Sequence, residues 1–300
     1  MASPKLRAFR ERAIYRGLVA VSAIGRRIPL PFGQFLGRTL GRLAWYVAAR
    51  ERRKALANIG IAFPDWPEER RRGAVKAMFR HLGMCVFEIA WLPNMTEALR
   101  AKNCVIEGFD RVLERIDAGR GVIIFTAHCG NWEWLSYVTG TFGRPVSVLQ
   151  RERDSPQMNR YITEFRAKAG VRTIDRGSTA SAREMIQAVR RGGILAFVID
   201  QNIRTESVKV PFFGRPALTP IGPARFAVRS GALVVTAYAD RLPDGRHHLV
   251  FLEPVECTRD DDPVALTARI TAEIEAHIRQ VPEQWVWMHD RWRERPQWEV

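Results

Sequence analysis

Residues Val122-Ile123-Ile124-Phe125 form an unbroken apolar run that leads straight into Thr126-Ala127-His128-Cys129-Gly130-Asn131-Trp132-Glu133. A short run of this kind, with no polar alternation, reads as a strand buried on both faces. Similar runs recur at 194–199 and 233–239, and stretches of helical pattern separate them. From about residue 104 the chain therefore alternates strand and helix, which predicts an α/β fold: a mainly parallel central sheet flanked by helices. Strands are expected at 122–126, 146–149, 172–174, 194–199, 233–239 and 248–252. Helices are expected from Trp132, over 156–169, 181–191, 223–229 and 263–279. Residues between Asp200 and the helix at Pro223 read as a long loop. Pro243-Asp244-Gly245 marks an antiparallel turn between the last two strands.

In such sheets the site lies beyond the carboxyl ends of the strands. Two strands end in polar groups, one at Thr126 and His128 and one at Asp200-Gln201, and the two ends are expected to converge. Five residues separate His128 from Glu133. On one continuous helix that is about 500°, so the side chains would not face each other. They meet only if His128 sits on the strand-to-helix turn and Glu133 on the first helical turn, with Gly130 and Asn131 supplying the turn. A carboxylate on one ring nitrogen then leaves the other free as a general base. The plain alternative is a structural histidine with Glu133 as an N-terminal helix charge. A nucleophilic Cys129 is a further alternative, but neighbours on a strand point to opposite faces.

Residues 1–100 read as helical and are punctuated by Pro29, Pro31, Pro64, Pro67 and Pro93. The expected division is a helical region at 1–100 and an α/β catalytic domain at 101–300. The net charge is +15, and the first 80 residues hold 18 Lys and Arg against 5 Asp and Glu. Such a region suits nucleic acid, anionic lipid or an acidic protein. Its arginines, among them Arg38 and Arg42, are interleaved with Phe32, Phe35, Leu40, Leu43, Trp45 and Tyr46. Basic plus strongly apolar favours an interfacial membrane helix over nucleic acid. No secretory signal is read at the start. Four scattered cysteines, Cys85, Cys104, Cys129 and Cys257, indicate neither a zinc site nor a disulfide framework.

His128-Cys129-Gly130-Asn131-Trp132-Glu133 resembles the His-x4-Asp/Glu box of the glycerolipid acyltransferase superfamily. It looks most like the branch containing the late lauroyl and myristoyl acyltransferases of lipid A biosynthesis. Further segments match that branch in order: Ala57-Asn58-Ile59 with Ala62-Phe63-Pro64, Gln150-Arg151 and Arg166, Asp200-Gln201, Val210-Pro211-Phe212-Phe213-Gly214 with Thr219, and the tryptophan-rich segment from Trp285 to Trp292. The likeness spans roughly residues 35–296.

The resemblance implies acyl transfer from an acyl carrier protein or coenzyme A thioester to a lipid hydroxyl, above all on a lipid A precursor. His128 would be the general base and Glu133 its orienting acid. Asn131 or backbone amides would steady the oxyanion, and Arg151, Arg166 and Arg176 would anchor phosphate. Asp200 would bond Arg166 or the acceptor, with Gln201 beside it. No metal or cofactor is implied beyond the acyl-thioester co-substrate. The implied partners are acyl carrier protein and anionic membrane lipid, not nucleic acid, at the cytoplasmic face of a bacterial inner membrane. Trp285, Trp287, Trp292 and Trp298 would form an interfacial belt or a core clamp. The chain departs from the branch at Asn202, where an acid is usual, which leaves a phosphatidylinositol mannoside or other lysolipid acceptor open.

Overall fold

The computed structural model describes residues 4–151, 155–177, 180–190 and 192–295. Four helices come first: α1 (Pro4–Gly25), α2 (Leu30–Val47), α3 (Ala49–Ala62) and α4 (Glu68–Trp91). Then follow α5 (Glu97–Asn103), β1 (Cys104–Glu107), α6 (Phe109–Asp117), β2 (Val122–Thr126), α7 (Trp132–Gly140), β3 (Val146–Arg151), α8 (Pro156–Ala167), β4 (Val171–Arg176), α9 (Ser181–Arg190) and β5 (Ile194–Val198). The chain closes with β6 (Ser207–Phe212), β7 (Arg215–Pro220), α10 (Gly222–Ser230), β8 (Leu233–Arg241), β9 (His247–Phe251) and α11 (Pro263–Gln280).

Seven strands form one sheet in the order β1-β9-β8-β2-β5-β3-β4. The five from β8 to β4 run parallel, while β9 is antiparallel to β8 and β1 is parallel to β9. This is the expected mainly parallel α/β sheet. All five residues of β2, at its centre, are buried. Ile123 and Phe125 point into one core with Leu195, Phe197, Trp285 and Trp287. Ile124 points into the other with Trp134, Leu135, Val148 and Ile194. The first core also takes in Ile59, Phe63, Met78 and Phe79 from the N-terminal helices and the residue that follows α3, so the helical segment and the sheet share it. Trp285 and Trp287 are a core clamp, not an interfacial belt, and Trp298 lies outside the described residues.

The stretch expected to be a loop after Asp200 instead contains the β6–β7 hairpin. Its two-residue turn is Phe213-Gly214, with φ of +52° and +70°, the left-handed pair that a tight hairpin turn demands. Phe213 holds that position through contacts with Phe63 and Trp287 and a 2.5 Å bond from its N–H to Glu275 Oε2. Pro211, Pro216 and Pro220 masked the strands in the sequence, because proline is tolerated only on strand edges.

Helix α2 packs inside-out. Gly33, Gly37 and Gly41 are buried, whereas Phe32, Phe35, Leu40, Leu43 and Tyr46 are exposed, Tyr46 to 73%. The glycines let α2 lie backbone to backbone on α4: a Cβ at Gly37 would stand 2.4 Å from the Gly83 carbonyl oxygen. No described helix is long and apolar enough to cross a membrane.

Candidate active site

β2 and β5 pair with Val122 opposite Ile194 and Thr126 opposite Val198. Carried two residues further, that register sets His128 opposite Asp200, and the side chains meet. His128 Nδ1 lies 2.8 Å from Asp200 Oδ1, and the His128 backbone N–H donates to Asp200 Oδ2 at 3.0 Å. Trp285 Nε1–H donates to the same Oδ2 at 2.7 Å. Burial raises the Asp200 carboxyl, but the His128 charge and these donors outweigh it and hold Asp200 below the ordinary carboxylate range. An ionised carboxylate can only accept, so Nδ1 carries a proton, and in the neutral imidazole Nε2 keeps its lone pair. The imidazole is 24% exposed and Asp200 1%, which leaves the imidazole reachable and the carboxylate enclosed.

Glu133 stands on the first turn of α7, as the spacing requires, but its carboxylate turns to Arg166. Arg166 Nε donates to Oε2 at 3.0 Å and Nη2 to Oε1 at 2.5 Å, and Nη1 donates to Gln150 Oε1 at 2.9 Å. This corrects two expectations: the acid on the imidazole is Asp200, not Glu133, and Asp200 does not bond Arg166. A guanidinium fork engages both carboxylate oxygens, which one imidazole N–H cannot match. The strand register meanwhile delivers Asp200 to His128.

Asn131, expected near an oxyanion, is instead a buried helix cap. Its Oδ1 accepts from Trp134 N–H at 3.1 Å, and its Nδ2 donates to Glu88 Oε2 at 3.0 Å. Gln201 is half-buried just past Asp200, and Arg151 is exposed at the end of β3. Arg151 and Arg176 are opposite one another on β3 and β4. Burial first, then the Arg151 charge, lowers Arg176 from its ordinary value. The structure thus divides the three arginines into a neutralised Arg166 and an adjacent cationic pair. Asn202 is tied to the C-terminal segment: its N–H donates to His289 Nε2 at 2.9 Å and its Nδ2 to the Arg293 carbonyl at 2.7 Å.

A buried polar group that the sequence did not reveal fixes the turn between β2 and α7. Gly130 has φ of +63°, and a Cβ there would lie 2.0 Å from the Ala239 carbonyl oxygen, so only glycine fits. Arg241 pairs with Glu88 and donates to His81 Nδ1 at 2.5 Å. Since His81 Nδ1 accepts, its Nε2–H donates to the Gly130 carbonyl at 3.1 Å. His81, Cys85 and Glu88 lie on one face of α4 at helical spacing. That polar row on an otherwise apolar face was the available signal.

An apolar pocket runs along the sheet under α7. Ile124, Val146, Val148, Ile194 and Ala196 line it, together with Trp132, Glu133 and Arg166. Trp132 packs edge-on against the His128 ring with centroids 4.9 Å apart. On the other face, Cys129 Sγ, the Asp240 carboxylate and the His277 imidazole lie within 4.8 Å of one another, a donor set that suits a metal ion. His277 Nε2 is already bonded to Asp240 Oδ1 at 2.9 Å. Burial and the nearby Asp240 and Asp200 carboxylates hold the Cys129 thiol well above its ordinary value. A buried, protonated thiol is a poor nucleophile and a poor ligand.

The sequence matches the family described as bacterial lipid A biosynthesis acyltransferase over residues 2–294. It is 28% identical over 278 residues to the lipid A biosynthesis lauroyltransferase of Escherichia coli K12, covering 90% of this chain and 88% of that one. It is 27% identical over 272 residues to the lipid A biosynthesis palmitoleoyltransferase of the same organism, covering 90% and 88%. It is 26% identical over 213 residues to a phosphatidylinositol mannoside acyltransferase of Mycobacterium tuberculosis CDC 1551, covering 68% and 66%.

Proposed function

Because the chain belongs to the bacterial lipid A biosynthesis acyltransferase family, we propose that it moves a fatty acyl chain from an acyl carrier protein or coenzyme A thioester to a hydroxyl of a lipid A precursor. The observation that carries this reading is the hydrogen-bonded His128–Asp200 pair beside an apolar pocket. His128 Nε2 takes the proton of the acceptor hydroxyl as its oxygen attacks the thioester carbonyl. The C–S bond then breaks, and the imidazolium returns the proton to the leaving thiolate. Asp200 holds the tautomer and steadies the imidazolium, the part first assigned to Glu133. The thioester is already activated, so the chemistry needs no cofactor.

The pocket under α7 receives the hydrocarbon chain. Arg166, held by Glu133, and the Arg151–Arg176 pair contact phosphate on donor or acceptor, since guanidinium forks match phosphate oxygens. Asn131 contributes by fixing the turn, and Gln201 flanks the acceptor. The exposed aromatic and aliphatic face of α2, with Arg38 and Arg42 on the same helix, favours contact with an anionic membrane surface at the cytoplasmic face. The basic N-terminal quarter also suits acidic acyl carrier protein. Similarity to a phosphatidylinositol mannoside acyltransferase supports a second reading in which the acceptor is a glycolipid of that kind. Mass spectrometry after incubating the enzyme with acyl carrier protein thioesters and both acceptor classes tests the proposal. A lipid A precursor heavier by one acyl chain is the expected product; acylation of the mannoside alone would favour the second reading, and no acylation at all would sink both.

A further inference from the structure

The carboxyl ends of β3 and β4 present different chemistry on their two faces. Side chains alternate along a strand. Val146, Val148 and Val171 point into the core under α7, so Gln150 and Asp175 continue on that face, and their side chains bond each other at 2.9 Å. Arg166 joins them through Gln150 and is neutralised by Glu133. Leu149 and Ile174 point into the opposite core. Arg151 and Arg176, two residues further along each strand, therefore stand on the face away from the pocket, in register with each other. The three arginines form two separate groups, one on each face of the sheet.

Arg172, on the same face of β4, pairs with Glu184 at 2.6 Å. Among the described residues neither Arg151 nor Arg176 has such an acid. Like charges directly opposite one another on neighbouring strands destabilise a sheet, so folding does not explain the pair. Its position is informative. β3 pairs with β4 as far as Arg151 and Arg176, but with β5 only as far as Val148 and Ala196. The strand order β2-β5-β3-β4 sets Arg151 two strands and Arg176 three strands from the strand that leads to His128, about 10 Å and 14 Å away. Both lie at the carboxyl edge of the sheet, beside the crevice in which such sheets hold ligands.

We propose that the Arg151–Arg176 pair binds a phosphomonoester of the acceptor lipid and selects acceptors that carry one. The inference rests on the acyltransferase reading of the His128–Asp200 site. A phosphomonoester carries a charge of about −1.5 to −2 at pH 7, which two guanidinium forks match in both charge and geometry. The phosphate that joins pantetheine to acyl carrier protein is a diester with a single charge. The phosphate of a phosphatidylinositol mannoside is also a diester. The pair therefore favours acceptor over donor, and a lipid A precursor over the mannoside.

The test compares a lipid A precursor with the same precursor stripped of its phosphomonoesters, with dodecanoyl acyl carrier protein as donor. In the wild type we expect stripping to raise KM for the acceptor by about tenfold or more. In Arg151→Gln with Arg176→Gln, KM for the intact precursor should rise by a similar factor, stripping should add little, and KM for the thioester should stay put. A purely structural role for the two arginines would not move one substrate's KM alone. A wild type indifferent to stripping overturns the proposal, as does a double variant that responds to stripping as the wild type does. A rise confined to the KM of the thioester also overturns it, since the pair then serves the donor. All three leave the acyltransferase reading intact. No transfer to either acceptor by the wild type overturns both.

Discussion

His128 and Asp200 face each other across two parallel strands, Nδ1 to Oδ1 at 2.8 Å, because the register of β2 on β5 places them in step. Asp200 uses both oxygens: Oδ1 for the imidazole and Oδ2 for the His128 N–H and Trp285 Nε1–H. An asparagine has one acceptor oxygen. In Asp200→Asn that oxygen serves the two donors, its NH2 faces Nδ1, and the imidazole is forced into the tautomer with Nε2 protonated. We expect kcat to fall on the order of 10³–10⁴-fold with an unaltered fold, measured by steady-state acyl transfer and circular dichroism. Near-normal turnover would exclude Asp200 as the orienting acid.

Glu133 and Arg166 form a bidentate pair beside the pocket. If the carboxylate acts by holding Arg166 for a phosphate, Glu133→Gln should raise KM more than it lowers kcat. The double change Glu133→Gln with Arg166→Gln should then be little worse than either alone. Additive losses confined to kcat would instead return Glu133 to the proton-transfer step.

The Glu88–Arg241–His81 group predicts acid lability. Burial, then the Arg241 charge, lowers His81 to about 3, and His247 is also lowered, by burial first. In the unfolded chain these histidines take up protons below about pH 6.5, whereas the folded protein keeps them neutral. Stability is therefore intact above that pH and falls as pH drops, by about 1.4 kcal/mol per pH unit for His81, with His247 adding a loss in the same direction. Burial raises Glu88, but Arg241 outweighs it and holds the carboxyl well below its ordinary value, which adds a further loss at lower pH. Urea midpoints between pH 7 and pH 5 check this, and a flat profile would contradict it. Glu88→Gln should cost about 3–5 kcal/mol, because it leaves the Arg241 charge buried without its partner.

Cys129 is buried in the core that holds Trp285 and Trp287, with Asp240 and His277 beside its thiol. Cys129→Ala should keep acyl transfer and lower stability by about 1 kcal/mol. Loss of activity with the fold intact would revive a thiol nucleophile.

The exposed face of α2 gives a separate prediction. Phe35→Glu with Leu43→Glu should abolish flotation with anionic vesicles while thermal stability stays within about 0.5 kcal/mol, since both side chains are exposed. Unchanged flotation would remove α2 from the membrane contact.

The sheet was largely legible because β2, β5 and β8 are unbroken apolar runs and helices separate them. The turn after β2 was legible for the same reason, since Gly130 and Asn131 have few other uses at that spacing. The convergence of the strand ends at His128 and Asp200 was legible too, but not which acid bonds the imidazole, because sequence distance is silent on register: Asp200 is 72 residues away and Glu133 only five. The β6–β7 hairpin escaped because its prolines mimic a loop and Phe213 occupies a turn position usually marked by Asn or Gly. Asn131 looked like a ligand-binding amide, and only the arrival of Glu88 from α4 makes it a cap.

Single-turnover acyl transfer to a lipid A precursor, compared between wild type and His128→Gln, tests the central claim most directly. The account predicts one acyl chain added by wild type and a rate lower by about 10²–10⁴-fold for the folded variant. A His128→Gln enzyme that acylates the precursor at the wild-type rate would contradict it.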